Sequence, residues 1–207
     1  LNGAIGSGTA LTSLSISGAS TLGANVTTTG TQTYTGAVTL SGADRTLTGT
    51  TISTSSTLSG DYSLTITGNA VFGDGTGTDT ITLSGSSKNL SVSGTTTLKA
   101  DVSTSGTQTY TSTVTLATAD RTLTGTTITT AAITGANFSL TETGNSVISG
   151  AISDVNIFSV SGTTSIGANV STIGTQTYSG AVTITGTAAT RTITTTADTI
   201  TFSSTVD

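Results

Sequence analysis

The sequence contains no histidine, cysteine, proline, methionine or tryptophan. Without histidine and cysteine, the chain cannot build a Ser-His-Asp or Cys-His catalytic arrangement, and it cannot form disulfide bonds. Charged residues make up only 7% of the chain, against roughly 25% in an average soluble domain. Disordered chains are usually rich in charge, so a weakly charged chain with a mean hydropathy of +0.20 is expected to be ordered.

Positive charge is especially scarce. The net charge is −5, and the five cations are scattered along 207 residues at Arg45, Lys88, Lys99, Arg121 and Arg191. Because no basic patch exists to neutralise phosphates, we expect no nucleic-acid partner. No apolar run is long enough to cross a bilayer, so we also expect no membrane insertion in this segment.

What the chain does have is threonine, serine and 26 glycines, arranged in a long repeat. The phrase GTQTYTGAVTL at 30–40 returns as GTQTYTSTVTL at 106–116 and as GTQTYSGAVTI at 174–184. Its tyrosine recurs at Tyr34, Tyr110 and Tyr178, so the first interval is longer than the second by eight residues. Self-similarity of this kind is typical of a repeat array. We therefore interpret 1–207 as a single repeat segment, with long repeats at approximately 14–89, 90–157 and, in part, 158–207.

Within each long repeat, apolar and polar residues alternate with a period of two, as in Leu64 and Ile66 or Leu90 and Val92. Such alternation predicts short half-buried strands, and the glycines between the runs predict tight corners. Helix signals are absent. For a chain of this length with few large side chains, the pattern predicts a parallel β-helix. This is an all-β solenoid with coils of roughly 20 residues around a thin aliphatic core. An array of β-sandwiches is the alternative, but its modules run to roughly 100 residues.

The alternation also predicts which side chains point inward. Tyr34, Tyr110 and Tyr178 are expected instead at corners or under loops. Glu142 stands where the first repeat has Ile66, and because a buried unpaired carboxylate is costly, we expect exposure or a local register change there. The predicted inward set is Val38, Leu40, Leu47, Ile52, Leu64, Ile66, Val71, Val114, Leu116, Leu123, Ile128 and Leu140.

Three stretches resemble a known family: VTTTGTQTYTGAVTL at 26–40, GADRTLTGTTI at 42–52 and TITTTADTITFSSTVD at 192–207. They are similar to the repeat regions of filamentous-haemagglutinin-like bacterial adhesins and related β-solenoid exoproteins. The resemblance covers nearly the whole chain. It implies secretion to the bacterial surface, a right-handed parallel β-helix, and a role in a stalk, fibre or matrix.

Two groups of residues are candidates for binding chemistry. The stretch GDGTGTDTI at 73–81 resembles one copy of the calcium-binding β-roll repeat, which would make Asp74 and Asp79 calcium ligands, although a glycine-rich loop is the simpler interpretation. The pairs Asp44–Arg45 and Asp120–Arg121 recur at equivalent positions. They predict either a solvated corner that blunts sideways strand pairing or a charged row that fixes contacts between rods. The remaining carboxylates are interpreted as turn residues, so we expect no enzymatic activity and no cofactor.

The sequence shows no capping segment at either end of the repeat, and it begins without methionine. We therefore expect either a piece of a longer chain or subunits that stack end to end, and both predict a continuous fibre. The predicted function is an extracellular structural segment in the stalk or fibre of a bacterial surface adhesin or filament. The alternative is a β-helix module that binds a glycan or a host surface.

Overall fold

The chain folds into a β-solenoid, seen in a computed structural model that describes residues 1–77, 79–186 and 190–207. Every pairing between its strands is parallel. The all-β solenoid predicted from the sequence is thereby confirmed, and the β-sandwich alternative is excluded. The strands, in chain order, are β1 (Leu14–Ile16), β2 (Ser20–Leu22), β3 (Val26–Thr27), β4 (Gln32–Tyr34), β5 (Val38–Leu40), β6 (Arg45–Thr54), β7 (Leu58–Gly60), β8 (Leu64–Phe72), β9 (Thr80–Leu83), β10 (Leu90–Val92), β11 (Thr96–Leu98), β12 (Asp101–Thr104), β13 (Gln108–Tyr110), β14 (Val114–Leu116), β15 (Arg121–Thr130), β16 (Ile133–Thr134), β17 (Leu140–Ile148), β18 (Ile152–Val155), β19 (Phe158–Val160), β20 (Thr164–Ile166), β21 (Val170–Thr172), β22 (Gln176–Tyr178), β23 (Val182–Ile184), β24 (Ile193–Thr195) and β25 (Ile200–Phe202).

Three ladders of parallel strands form three faces of the rod. On the first face, β1 pairs with β4, β4 with the second half of β6, and that half with the second half of β8. The second face starts at β2 and β5, and the third at β3 and the first half of β6. Successive strand segments visit the faces in rotation. One coil takes about 19 residues and there are about nine coils, so the rod is about 45 Å long at the usual strand spacing.

The core is a column of aliphatic side chains enclosed by the three faces. Most strands show a buried–outward–buried pattern because neighbouring side chains in a strand point to opposite sides. Of the predicted inward residues, Val71 is wrong, since it is half-exposed while Ala70 and Phe72 point inward. The other predicted residues are all buried: Val38, Leu40, Leu47, Ile52, Leu64, Ile66, Val114, Leu116, Leu123, Ile128 and Leu140.

Stacked glycines form the corners where the long strands turn from one face to the next. Gly30, Gly49, Gly68 and Gly94 lie above one another in successive coils. A Cβ built on Gly68 would lie 1.8 Å from the Gly49 carbonyl oxygen, and the backbone at Gly68 has a φ of +133°. Only glycine fits there, because the backbones approach too closely for any side chain.

The long repeat contains eleven strand segments, one fewer than four complete coils. The strand with Tyr34 lies on the first face, the strand with Tyr110 on the third and the strand with Tyr178 on the second. The second glycine stack, Gly106, Gly125, Gly144, Gly162 and Gly180, accordingly lies at the next corner of the rod. Each long repeat is therefore turned by one third of a coil relative to the repeat before it. The eight-residue difference between the two repeats lies in the loops that follow Phe72.

Candidate functional site

The phrase that recurs three times builds a hydrogen-bonded group inside the core. In the second copy, the Tyr110 hydroxyl donates to Gln108 Oε1 at 2.9 Å. The Gln108 amide donates in turn to the Val102 and Thr124 carbonyl oxygens at 3.2 and 2.7 Å. Both side chains are buried. We call this Gln–Tyr arrangement the QTY pin, because it joins neighbouring coils from the inside.

The two other copies build the same pin. The Tyr34 and Tyr178 hydroxyls each donate to the glutamine two residues earlier at 2.9 Å. Burial raises the pKa of all three phenols, and for Tyr110 and Tyr178 the Glu142 carboxylate adds to the rise. The expectation that these tyrosines lie at corners or under loops is therefore wrong. The glutamine two positions before each tyrosine was the missed signal, since it supplies the partner that a buried phenol needs.

Asparagine and aspartate side chains join the coils from the outside. Asn25, Asp101 and Asn169 occupy equivalent repeat positions, and each accepts a hydrogen bond from a backbone N–H of the next coil. The acceptor-to-donor distances are 2.9 to 3.0 Å. Asn69 and Asn145 do the same for Thr95 and Thr163. These side chains compensate for the backbone bonds that are lost where the chain turns a corner.

The recurring charged residues belong to this outer set of coil connections. Asp44 and Asp120 accept hydrogen bonds from the Ser63 and Ser139 N–H groups at 2.9 and 2.8 Å. Arg45 does not extend into solvent. Its Nε donates to the Ser41 and Leu22 carbonyl oxygens at 3.1 and 3.2 Å.

Arg121 also binds the carbonyl oxygen four residues earlier, with Nη2 donating to Ala117 O at 3.1 Å and to Thr118 Oγ1 at 2.8 Å, but its Nε has no hydrogen-bond partner. The ion pairs at these corners are long, with Lys88–Asp44 at 3.9 Å and Arg121–Asp101 at 4.0 Å. Exposed pairs of this length contribute little to stability. The hydrogen bonds of these charged side chains are thus made within one rod. The residues concerned are Asp44, Arg45, Asp120 and Arg121.

Asp74 and Asp79 come together in the loop between β8 and β9. The Asp74 N–H donates to Asp79 Oδ2 at 3.2 Å, and Asp74 Oδ1 accepts from the N–H and hydroxyl of Thr76 at 2.7 and 2.8 Å. These hydrogen bonds lower the pKa of Asp74. No group of three or more acidic side chains that could hold a metal occurs in the described residues, and Thr78 of this loop lies outside them. Calcium binding by Asp74 and Asp79 stays a hypothesis.

Glu142 departs from expectation. It is fully buried and keeps its register, with Leu123 on one side and Val160 on the other. The neighbouring strands fix its position, so the predicted exposure or register change is wrong. Neither carboxyl oxygen makes a hydrogen bond. Burial raises the pKa of Glu142 from 4.5 to about 7, opposed only by the nearby Ser146 hydroxyl.

The outward sides of the faces carry rows of hydroxyl groups. On the third face, one rung per coil is a serine or threonine in all but one case, and none of the rungs is charged. Such rungs repeat at the strand spacing of about 4.8 Å. We call this row the hydroxyl ladder; its rungs are Thr46, Thr65, Ser91, Thr109, Thr129, Val147, Ser165 and Thr183.

The outermost coils present apolar side chains that internal coils bury. Leu1 and Leu11 are exposed on the first coil. Ile184, Phe202 and Val206 are exposed at the other end of the rod, where the Phe202 ring stacks on Tyr178 with 5.2 Å between centroids.

Comparison of the chain with protein-family models, with curated proteins and with solved structures finds no match. The described residues contain no helix that is long and apolar enough to cross a membrane. They also enclose no pocket. The extended features of the described residues are the hydroxyl ladder along the rod and the exposed apolar side chains of its outermost coils.

Proposed function

We propose that this chain is a structural segment of an extracellular stalk or fibre, of the kind found in bacterial surface adhesins and filaments. The observation that carries the proposal is the uniform coil-to-coil stacking. Inward aliphatic residues, glycine corners and Asn/Asp connections recur in successive long repeats. A structure stabilised by contacts between nearest neighbours along one axis suits a spacer, because its length grows with the number of coils.

The open coil edges support axial continuation. The outermost coils expose apolar side chains, such as Leu11 on one and Phe202 on the other. Such an edge is a template for further strands, supplied by more of the same chain or by a second copy. Stacking of copies would be a head-to-tail contact that does not close, which produces filaments.

Immunoelectron microscopy on the cells that make the protein tests this role. With an antibody against the 1–207 segment, we expect label along filaments on intact, unpermeabilised cells. Label that appears only after permeabilisation would contradict the extracellular fibre. Negative-stain images of the purified segment, with its intact mass, then separate the two routes, because extended fibres from a 20.1 kDa chain require end-to-end stacking.

The second candidate function is the binding of a neutral glycan or a host surface along the rod. The hydroxyl ladder supports it, since an uncharged row of hydroxyl groups offers hydrogen-bond donors and acceptors at regular intervals without an electrostatic preference. Binding to neutral polysaccharides can be measured with the purified segment. Replacing Thr65, Thr109 and Thr129 with valine should weaken that binding without unfolding the rod, and unchanged binding would assign it elsewhere.

A further inference from the structure

A polar cluster lies inside the core where the second repeat meets the third. Glu142, Ser146 and Thr164 are all buried, with 0%, 1% and 2% of their surfaces exposed. Neither Glu142 oxygen, nor Ser146 Oγ, nor Thr164 Oγ1 has a hydrogen-bond partner. Ser146 and Thr164 face each other across neighbouring strands of the third face, and Glu142 lies four residues before Ser146 on the far side of Gly144.

The first repeat provides an internal comparison. Its equivalent of β17 is β8, which has the same length, the same pattern of burial and the same corner glycine. Ile66 and Ala70 occupy the positions of Glu142 and Ser146. The second repeat has thus replaced two apolar inward residues with two polar ones that lie close to each other, while the surrounding fold is unchanged.

The surroundings disfavour a negative charge on Glu142. Its ladder neighbours are Leu123 and Val160, and within the described residues no positive charge contributes to its pKa. Arg121 of β15 is mostly buried, but its guanidinium is held at the corner by Ala117 O, Thr118 Oγ1 and Asp101. Asp154, in the strand that follows β17, is exposed. Of the inward groups that can ionise, the phenols of Tyr110 and Tyr178 are affected by its charge, and both are acids themselves.

We propose that Glu142, Ser146 and Thr164 form a proton-controlled weak point, at which the coil containing 140–148 stays closed while the carboxyl group is protonated and opens as it loses its proton. The protonated carboxyl is uncharged and can donate its hydrogen to the Ser146 hydroxyl. The carboxylate lies beside the Ser146 hydroxyl, but one neutral hydroxyl does not compensate for the burial of a charge. This inference concerns local stability and does not depend on the fibre role.

The direction of the pH dependence follows from the two states. An exposed glutamate loses its proton near pH 4.5, whereas the buried one keeps it up to about pH 7. Between these values the closed coil binds one proton that the open coil has released, so opening becomes easier as pH rises through this window. Below it both states are protonated, and above it the difference is constant.

Hydrogen exchange on the complete chain tests the proposal, with 64–72 as the reference segment. After correction for intrinsic exchange rates, we expect the opening constant of 140–148 to rise more than about tenfold between pH 5 and pH 8. The opening constant of 64–72 should not follow it. E142I, which installs the residue found at position 66, and E142Q, which is uncharged at every pH, should both abolish the difference.

Two results would overturn the proposal. One is an equal response of 140–148 and 64–72 to pH in the unmodified chain. The other is a pH response of 140–148 that survives in both E142I and E142Q, because that response would come from another group. If E142Q does not fold, E142I still decides the test, because the equivalent coil of the first repeat has isoleucine at this position.

Discussion

At the residue scale, the most informative feature is the QTY pin. Gln108 accepts from Tyr110 and donates to two backbone carbonyl groups of neighbouring strands. One side chain therefore satisfies a buried phenol and links two coils. The tyrosine supplies volume in a core that consists mainly of aliphatic side chains. Because the two residues depend on each other, their contributions to stability should be coupled.

A double-mutant cycle tests this coupling. We expect Gln108→Leu to reduce the free energy of unfolding by about 2–4 kcal/mol, because it leaves the buried Tyr110 hydroxyl without a hydrogen-bond partner. Tyr110→Phe should reduce it by about 1–2 kcal/mol. The double variant should be no less stable than Gln108→Leu alone, as urea unfolding followed by circular dichroism would show.

Thr109→Val is the matched control for the cycle, because Thr109 lies between the two residues but points outward. Its effect should stay within about 0.5 kcal/mol. Additive effects of Gln108→Leu and Tyr110→Phe would mean that the hydrogen bond between them does not couple the two residues.

The sequence predicted whether single side chains point inward or outward where apolar and polar residues alternate with a period of two. The alternation predicted inward positions such as Leu64 and Ile128, because one face of each strand must be buried. The inward prediction for Val71 was wrong because β8 keeps every second residue inward through Gly68 to Ala70 and Phe72. Val71 therefore points outward. The prediction of exposure or a register change at Glu142 was wrong. The pairing of its strand with the strands on both sides stabilises the register by more than the burial of the carboxyl group costs.

At the scale of the elements, the corners decide where a strand may turn. In the second glycine stack the chain turns at Gly125, Gly144 and Gly162, and each glycine passes close to the backbone of the coil before it. A Cβ on Gly144 would lie 1.8 Å from the Gly125 carbonyl oxygen, and the φ there is +134°. Substitution therefore opposes both the stacking distance and the backbone conformation.

We expect Gly144→Ala to destabilise the solenoid by at least about 2 kcal/mol, because the coils must separate or the backbone must change conformation. The matched control is Gly18→Ala, since nothing lies within 4 Å of a Cβ at Gly18. Its effect should remain within about 0.5 kcal/mol. Urea unfolding of both variants measures the difference, and equal stability of the two would refute the role given to the stacked corner.

The elements themselves were readable from the sequence, but their connections were not. Glycine between alternating runs indicated corners, and the structure has corners at Gly30, Gly68 and Gly94. The hydrogen bonds that Asn25 and Asp44 accept from the next coil could not be predicted, because they join positions one coil apart whose proximity depends on the coil length. The recurring Asp-Arg pairs were visible in the sequence, but their partners were not.

At the scale of the whole molecule, the eleven-segment repeat sets how recurring features are displayed. A repeat of twelve segments would return every feature to the same face. A repeat of eleven turns each copy by one third of a coil, so that the QTY pins brace the three faces in succession. The rotation by one third of a coil could not be predicted from the number of residues. The two intervals between the pins differ in length but contain the same number of strand segments.

The rotation predicts that one long repeat can be removed without disturbing the fold. Deleting 90–157 joins Asn89 to Phe158, so that β19 takes the place of β10 and Thr175 takes the place of Thr107 beside Asn89. All downstream segments move to the next face together and keep their coil contacts. We expect circular dichroism to show unchanged β-structure per residue. Small-angle X-ray scattering should show a rod shortened by three and two-thirds coils, or about 18 Å.

A deletion of equal length that removes a corner provides the control. Removing 60–127 shortens the chain by the same amount, but it joins Ser59 directly to Ile128 and leaves no corner between the second and third faces. We expect this variant to lose β-structure and to aggregate, because its inward residues cannot reach the core without the turn. If both deletions behave alike, the long repeat is not an interchangeable structural unit. If only the deletion of 90–157 folds, the junction requires an intact corner, and the long repeat of eleven segments is an interchangeable structural unit.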